Sequence, residues 1–492
     1  MKFYIGADLG TSALKLLLVN ENNKIVHTVT KAYDVAYPHP GWSEQRPEDW
    51  WQAFVDGVTE LTKDFDKENI QSITVAGQMH GLVILDKEDA VIRPAILWND
   101  GRTEAETAYL NDVIGKQKLS VLTANIAFAG FTAPKLLWLK KHEPEHFNAI
   151  QKVMLPKDYI NYRLTGVHAC DYSDASGMLL LDVKNKCWSK EMLTICSLQE
   201  WQMPHLFESY EAIGTILPNA AETLGLNKNI VIAAGAGDNA AAAIGTATIG
   251  EGKCNISLGT SGTIFIPSKT CTIDKYNALH AFCHADGAYH LMGCILSAAS
   301  CNKWFCDEVL NTKDYIAEQE KITENMLGMS NIFFLPYLMG ERSPINDTDA
   351  TGLFIGLRPD TTRTDMLLSV LEGVAFAVRD NLEIAIKSGI TIKQSTVCGG
   401  GAKSKLWLTI LSNVLNLELL VPAFEEGPGY GAAILGMVAC KDRKLDDFKE
   451  IEMKEIIKPD PQLVQKYEEK YGKYKSIYPA VKDLYKTLNT KI

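Results

Sequence analysis

Hydrophobic and polar positions alternate from the first residues of the chain. FYIGADLG, ALKLLLVN and KIVHTVTKAYDV, spanning Phe3 to Val35, read as three short strands joined by tight turns. Alternation and β-branched residues are what a half-buried strand requires. The period then changes: in PEDWWQAFVDGVTELTKDF, Trp50, Phe54, Val58 and Leu61 fall on one face of a helix. SITVAGQ and LVILD, on either side of Met79, His80 and Gly81, are again short apolar strands. From about Arg93 to Leu226 the text mixes helices and loops. KNIVIAAGAGDNAAAAIGTA then predicts a buried strand, a glycine turn and an alanine-rich helix.

After that helix the pattern restarts. GKCNISLGTSGTIFIPS is once more strand, turn, strand, and Leu-Gly-Thr-Ser stands at residues 9–12 and again at 258–261. One tetrapeptide is weak evidence, but the same tetrapeptide in the same context half a chain apart points to internal duplication. A long helix (DMLLSVLEGVAFAVRDNLEIAIKSG), the strand STVCGGGA and the helix KLWLTILSNVL follow. Strands alternating with helices make both lobes α/β. The glycine-rich text GTATIGEG separates them, giving an N-terminal lobe at 1–246, a C-terminal lobe at 253–445 and a helical extension at 446–492. The Lys/Tyr-rich segment after Pro459 reads as an exposed amphipathic helix.

Composition changes this picture little. With 492 residues, 46% hydrophobic and 22% charged, the chain suits two or three globular domains. A net charge of −11 with scattered Lys and Arg argues against a nucleic-acid surface. No charged n-region precedes an apolar h-region, and no apolar run nears the roughly 18–20 residues of a membrane span, so a cytoplasmic protein is expected. Eleven cysteines, mostly in apolar segments, are expected to be reduced.

The chemistry gathers at the turns. Asp8-Leu9-Gly10-Thr11-Ser12 offers a close backbone approach, N–H groups and hydroxyls for phosphate oxygens, and a carboxylate able to hold hydrated Mg²⁺. An ordinary hairpin would use the same residue types; the echo at Gly259-Thr260-Ser261 is what favours a shared phosphate grip. In Gly235-Ala236-Gly237-Asp238-Asn239 an aspartate stands at a helix start, where the dipole favours its ionised form. It is a candidate general base, although N-capping alone would also explain it. The same segment matches GxGxxA, but the acidic residue a dinucleotide site expects about 20 positions later is missing. His142-Glu143-Pro144-Glu145-His146 is a formal HExxH broken by its proline. His280, Cys283 and His284 lack a fitting second ligand pair. Gly399-Gly400-Gly401-Ala402, between strand and helix, suits either a tight turn or the approach of a flat adenosine.

Taken together, YIGADLGTS, PHPGWSEQRPEDWW, AGQMHG, PAILWNDGR, GFTAPKLLWLKKHEPE, LPKDY, AGAGDNAAAAIG, SLGTSG, FLPYLMGERSP, LEGVAFA and GGGAKSKLW resemble, in order, the FGGY carbohydrate kinases. The resemblance implies two actin-like (ribonuclease H-like) lobes of the hexokinase/Hsp70/actin superfamily with an interlobe cleft. It implies ATP and Mg²⁺, and a ketose acceptor, D-xylulose, phosphorylated on O5. Substrate contacts fall on Met79, His80, Trp98, Asp238 and Asn239, with Asp238 as catalytic base. Nucleotide contacts fall on Asp8, Thr11, Ser12, Gly259, Thr260, Gly400, Gly401 and Ser404, with Asp8 holding the metal through water. Glycerol kinases of the family carry Arg-Glu where this chain has Met79-His80, which favours a sugar. The alternatives are another ketose or polyol, such as ribulose or glycerol, or an actin-fold ATPase without a sugar. No nucleic-acid or membrane partner is expected; a homodimer is the family's suggestion.

Overall fold

The computed structural model describes residues 1–423 and 427–488. Its first sheet grows from an antiparallel meander of β1 (Phe3–Leu9), β2 (Ala13–Asn20) and β3 (Ile25–Ala32), with Leu9 opposite Leu14 at the first hairpin. Helix α1 (Pro47–Leu61) covers β2 and β3 with the predicted face: Trp50, Phe54, Val58 and Leu61 are fully buried. Each such side chain contributes roughly 1.5–3 kcal/mol on leaving water. β4 (Ile70–Gly77) runs parallel to β1; β5 (Ala212–Thr215) and β6 (Val231–Ala233) complete the order β5-β6-β4-β1-β2-β3. Helix α2 (Asp238–Gly245) leaves this sheet.

The second sheet repeats the first. It is built from β7 (Gly252–Leu258), β8 (Gly262–Ser268), β9 (His280–Cys283), β10 (Tyr289–Ile295), β11 (Ile392–Cys398), β12 (Glu418–Pro422) and β13 (Met453–Ile457). Their order is β9-β10-β8-β7-β11-β12-β13. In both sheets a meander is extended by two parallel strands, β1-β4-β6 in one and β7-β11-β12 in the other. The duplicated tetrapeptide therefore marks a duplicated sheet, and each copy sits in the hairpin that opens it. Helices α3 (Arg363–Lys387) and α4 (Lys405–Leu415) pack together in the second lobe.

Helix α5 (Gly427–Ala439) follows β12 in the chain yet packs on β1 and β4 of the first sheet and along α2. The approach needs glycine: a Cβ on Gly431 would stand 1.8 Å from the Ala241 carbonyl oxygen. Consecutive segments of chain thus do not map cleanly onto the two packed bodies. The C-terminal segment differs from the single exposed helix expected. It forms α6 (Pro461–Tyr474) and α7 (Ile477–Leu488), and Tyr467, Tyr471 and Tyr474 are buried around Phe376 of α3. Lys470 enters the same interface to pair with buried Glu372 at 2.5 Å. The alternation of Lys and Tyr is a two-faced docking surface. Among the described residues no helix is long and apolar enough to cross a membrane, and all eleven cysteines are free thiols.

Candidate active site

Gly259, Thr260, Gly400, Gly401 and Ser404 come together on one cavity of about 940 Å³ in the C-terminal lobe. The β7–β8 turn is fixed through the Thr260 carbonyl, which accepts from the Ala298 N–H (2.9 Å) and the Ser300 hydroxyl (2.7 Å). Ser404 caps α4 by accepting from the Trp407 N–H (3.1 Å) and donates to Gln319 Oε1 (2.5 Å). At Gly400 an added Cβ would meet no atom within 4 Å, so its bareness serves the cavity and not the packing. Tyr315, Ile316, Gln319 and Trp407 also line the cavity. Tyr315, Ile316 and Gln319 were not singled out from sequence, because Tyr315–Gln319 is a five-residue helix without a motif. A mostly apolar space edged by a few polar groups suits a flat, heteroatom-bearing ring.

The first turn is placed differently. The Thr11 hydroxyl accepts from Trp98 Nε1 (2.9 Å) and donates to Gln78 Oε1 (3.2 Å), while its carbonyl accepts from Gln45 Nε2 (2.7 Å). Thr11 does not line the cavity that holds Thr260. Trp98, read as a sugar contact, also touches the phosphate-type turn directly. Ser12 is exposed beside it, and Asp8 lies two strand positions before Gly10, opposite Lys15 of β2. Asp100, two residues on, is buried support. Arg102 sits 3.7 Å from the Trp42 ring centre and pairs with Asp100 and Glu44, each at 2.7 Å.

His80 takes a left-handed backbone (φ 68°), and its carbonyl accepts from buried Lys135 Nζ (2.8 Å) and the Thr132 hydroxyl (3.1 Å). Its ring stacks on Phe131, and Nδ1 lies 2.7 Å from the Gly177 carbonyl oxygen. A carbonyl only accepts, so Nδ1 carries the hydrogen and Nε2 keeps its lone pair. Burial holds the ring neutral, lowering its pKa to about 3. Met79 lies against Gly237, where an added Cβ would be 3.0 Å from Met79 Cγ. Met79 and Asp238 are therefore neighbours across one glycine.

Asp238 is the first residue of α2, capped by Gly237, and its Oδ1 accepts from the Asn239 N–H (2.7 Å) and Nδ2 (3.0 Å). Asp238 and Asn239 open onto a second cavity, about 640 Å³, between α2 and the C-terminal sheet; Lys403 borders both cavities. The helix start was expected to favour the carboxylate. Burial outweighs it and raises the pKa from 3.8 to about 6.

Residues 3–245 match the N-terminal domain of the FGGY family of carbohydrate kinases, and residues 254–440 match its C-terminal domain. The chain belongs to this family. It is 39% identical to a xylulose kinase of Escherichia coli over 96% of this chain and 98% of that one. A xyloylose kinase from Brucella ovis shares the fold with a TM-score of 0.94 and 40% identity over 98% of this chain and all of that one. A gluconate kinase from Lactobacillus acidophilus gives the same TM-score at 26% identity, covering 99% and 100%. This FGGY kinase uses ATP to phosphorylate a carbohydrate, and the architecture is the actin-like one the sequence implied. The competing motifs have plain explanations in the fold. His142 ends one helix (Thr132–His142) and Pro144 opens the next (Pro144–Ala149), so the HExxH text never shares a helical face. Among the described residues no group of three or more His, Cys, Asp or Glu could hold a metal ion.

Proposed function

We propose that this FGGY kinase transfers the γ-phosphoryl group of ATP to O5 of D-xylulose, giving D-xylulose 5-phosphate and ADP in the cytoplasm. The observation that carries the chemistry is the position of Asp238. It is a carboxylate with a pKa near 6, beside Met79 on one side and opening toward the Lys403 wall of the nucleotide cavity on the other. Asp238 accepts the proton of O5 as that oxygen attacks phosphorus in line. A base with a pKa just below neutrality is ionised at pH 7 and still able to hold the proton it takes.

His80 presents its unprotonated Nε2 as an acceptor for a ketose hydroxyl, a role an imidazolium could not fill. Trp98 joins the two halves of the reaction, since its indole N–H holds the Thr11 hydroxyl in the first phosphate turn. The adenine ring occupies the 940 Å³ cavity, with the phosphates directed past Gly400, Gly401 and Thr260 toward Asp238. Mg²⁺ would be held by Asp8 through water, with the phosphates supplying the other oxygens, and it would offset their charge. Choice of D-xylulose over other acceptors rests on the full-length similarity to xylulose kinases. The test is ADP release with D-xylulose, D-ribulose, gluconate and glycerol under identical conditions. Preference for any acceptor other than D-xylulose rejects the assignment, and ADP release without any acceptor at the same rate would revive an ATPase.

A further inference from the structure

The LPKDY text and the DYSDAS text that follows it carry no role in the site described so far, yet they meet in one buried cluster. Lys157, Asp158, Asp171, Ser173, Asp174 and Ser209 are each at most 1% exposed. Lys157 Nζ lies 2.5 Å from Asp158, 2.9 Å from Asp171 and 3.5 Å from Asp174. Asp171 Oδ2 in turn accepts from the hydroxyls of Ser173 (2.5 Å) and Ser209 (2.7 Å). Each serine then holds one backbone N–H of the loop that delivers Asp238. Ser173 Oγ accepts from the Gly237 N–H (3.1 Å), and the Ser209 carbonyl accepts from the Gly235 N–H (3.1 Å).

We propose that Asp171, with Lys157 as its counter-ion and Ser173 and Ser209 as its two arms, is a buried clamp that aims Asp238. The clamp acts only through the backbone, so these are positioning residues for the base assigned above, and the proposal rests on that assignment. The geometry favours aiming over general support because both arms end on one three-residue segment. The segment is packed tightly: a Cβ on Gly235 would lie 1.9 Å from the Val75 carbonyl oxygen, Met79 closes the Gly237 side, and Ala236–Gly237 pairs with Ala76–Gly77 of β4. Burying one lysine among three aspartates is costly. Such a cluster persists where it fixes something, and what it fixes here is the approach to α2. Asp174 has both oxygens without a hydrogen-bond partner, and burial pushes its carboxyl well above the usual carboxylate range.

The experiment compares Ser173→Ala, Ser209→Ala, Ser173→Thr and Asp238→Asn in the full-length enzyme with ATP and D-xylulose. Ser412→Ala removes an equally buried serine hydroxyl in the C-terminal lobe as a control for stability. Misplacing a reacting group by about 1 Å costs up to about 10²-fold. Each serine-to-alanine change should lower kcat by about tenfold or more with KM for ATP unchanged. It should also move the acid limb of the kcat profile to lower pH, because a loosened loop lets water reach Asp238. Ser173→Thr, which keeps the hydroxyl, should recover most of the rate, and Ser412→Ala should match wild type. If Asp238→Asn is inactive while both alanine variants keep wild-type kcat and pH profile, the clamp is wrong and the base stands. A loss of rate with an unmoved acid limb, or one proportional to lost folded protein, also overturns the clamp. If Asp238→Asn itself turns over normally, the assignment of the base fails.

Discussion

Replacing Asp238 by asparagine separates the chemical role of this residue from its cost to the fold. The carboxyl is raised from 3.8 to about 6 by burial. At about 1.4 kcal/mol per unit, the native protein holds the ionised form at a penalty of roughly 2–3 kcal/mol relative to the unfolded chain. The sign follows from linkage. Between about pH 6 and pH 4 the native state binds more protons at this site than the unfolded state, so this group's penalty is full above pH 7 and is relieved as pH falls through 6 toward 4. The Asp238→Asn variant keeps the shape without the charge. Its melting temperature at pH 8 should exceed that of wild type by several degrees, and the difference should shrink toward pH 4–5. Activity should move the opposite way. Loss of a general base costs about 10²–10⁴-fold in kcat. In the wild-type enzyme kcat should fall about tenfold per unit below pH 6, as the base is titrated. The assays are calorimetry across pH and coupled ADP release with saturating substrates. An acid limb near pH 4, or an Asp238→Asn variant less stable than wild type at pH 8, would refute the reasoning.

The remaining expectations rest on packing. Gly400→Val should raise KM for ATP with an unchanged melting temperature, because its side chain enters only the cavity. Gly399→Ala, at φ 86° and 2.8 Å from Leu258, should by contrast lower the melting temperature of the lobe. Gly245→Ala places a methyl 2.2 Å from the Gly427 carbonyl oxygen and should cost about 1–3 kcal/mol in denaturant unfolding by parting α2 from α5. Lys470→Ala leaves Glu372 buried without its cation and should cost about 3–5 kcal/mol, read as a lowered midpoint of urea unfolding.

The first hairpins and helix were legible because a single face decides them. Trp50, Phe54, Val58 and Leu61 mark one side of α1, and the two Leu-Gly-Thr-Ser turns mark the two meanders. Helix α5 was not legible as a bridge: GPGYGAAILGMVA is small and apolar all round, which says that it is enclosed but not by which sheet. The C-terminal tyrosines misled because a residue that is amphipathic by itself gives no direction to a helix. Of the candidate site, the C-terminal turn residues and Gly400 and Gly401 converge on one cavity. The link between Thr11 and Trp98, and the proposed role of Asp171 beneath Asp238, depend on contacts between segments 87 and 64 residues apart that no local pattern encodes.

The central claim is the transfer of phosphate to one hydroxyl of one ketose, and the most direct measurement is the structure of the product. Incubation with ATP, Mg²⁺ and D-xylulose followed by ³¹P and ¹H NMR should show a phosphate monoester coupled to the C5 methylene protons, formed in step with ADP. A phosphate coupled to the C1 protons, or inorganic phosphate released in step with ADP, would contradict it.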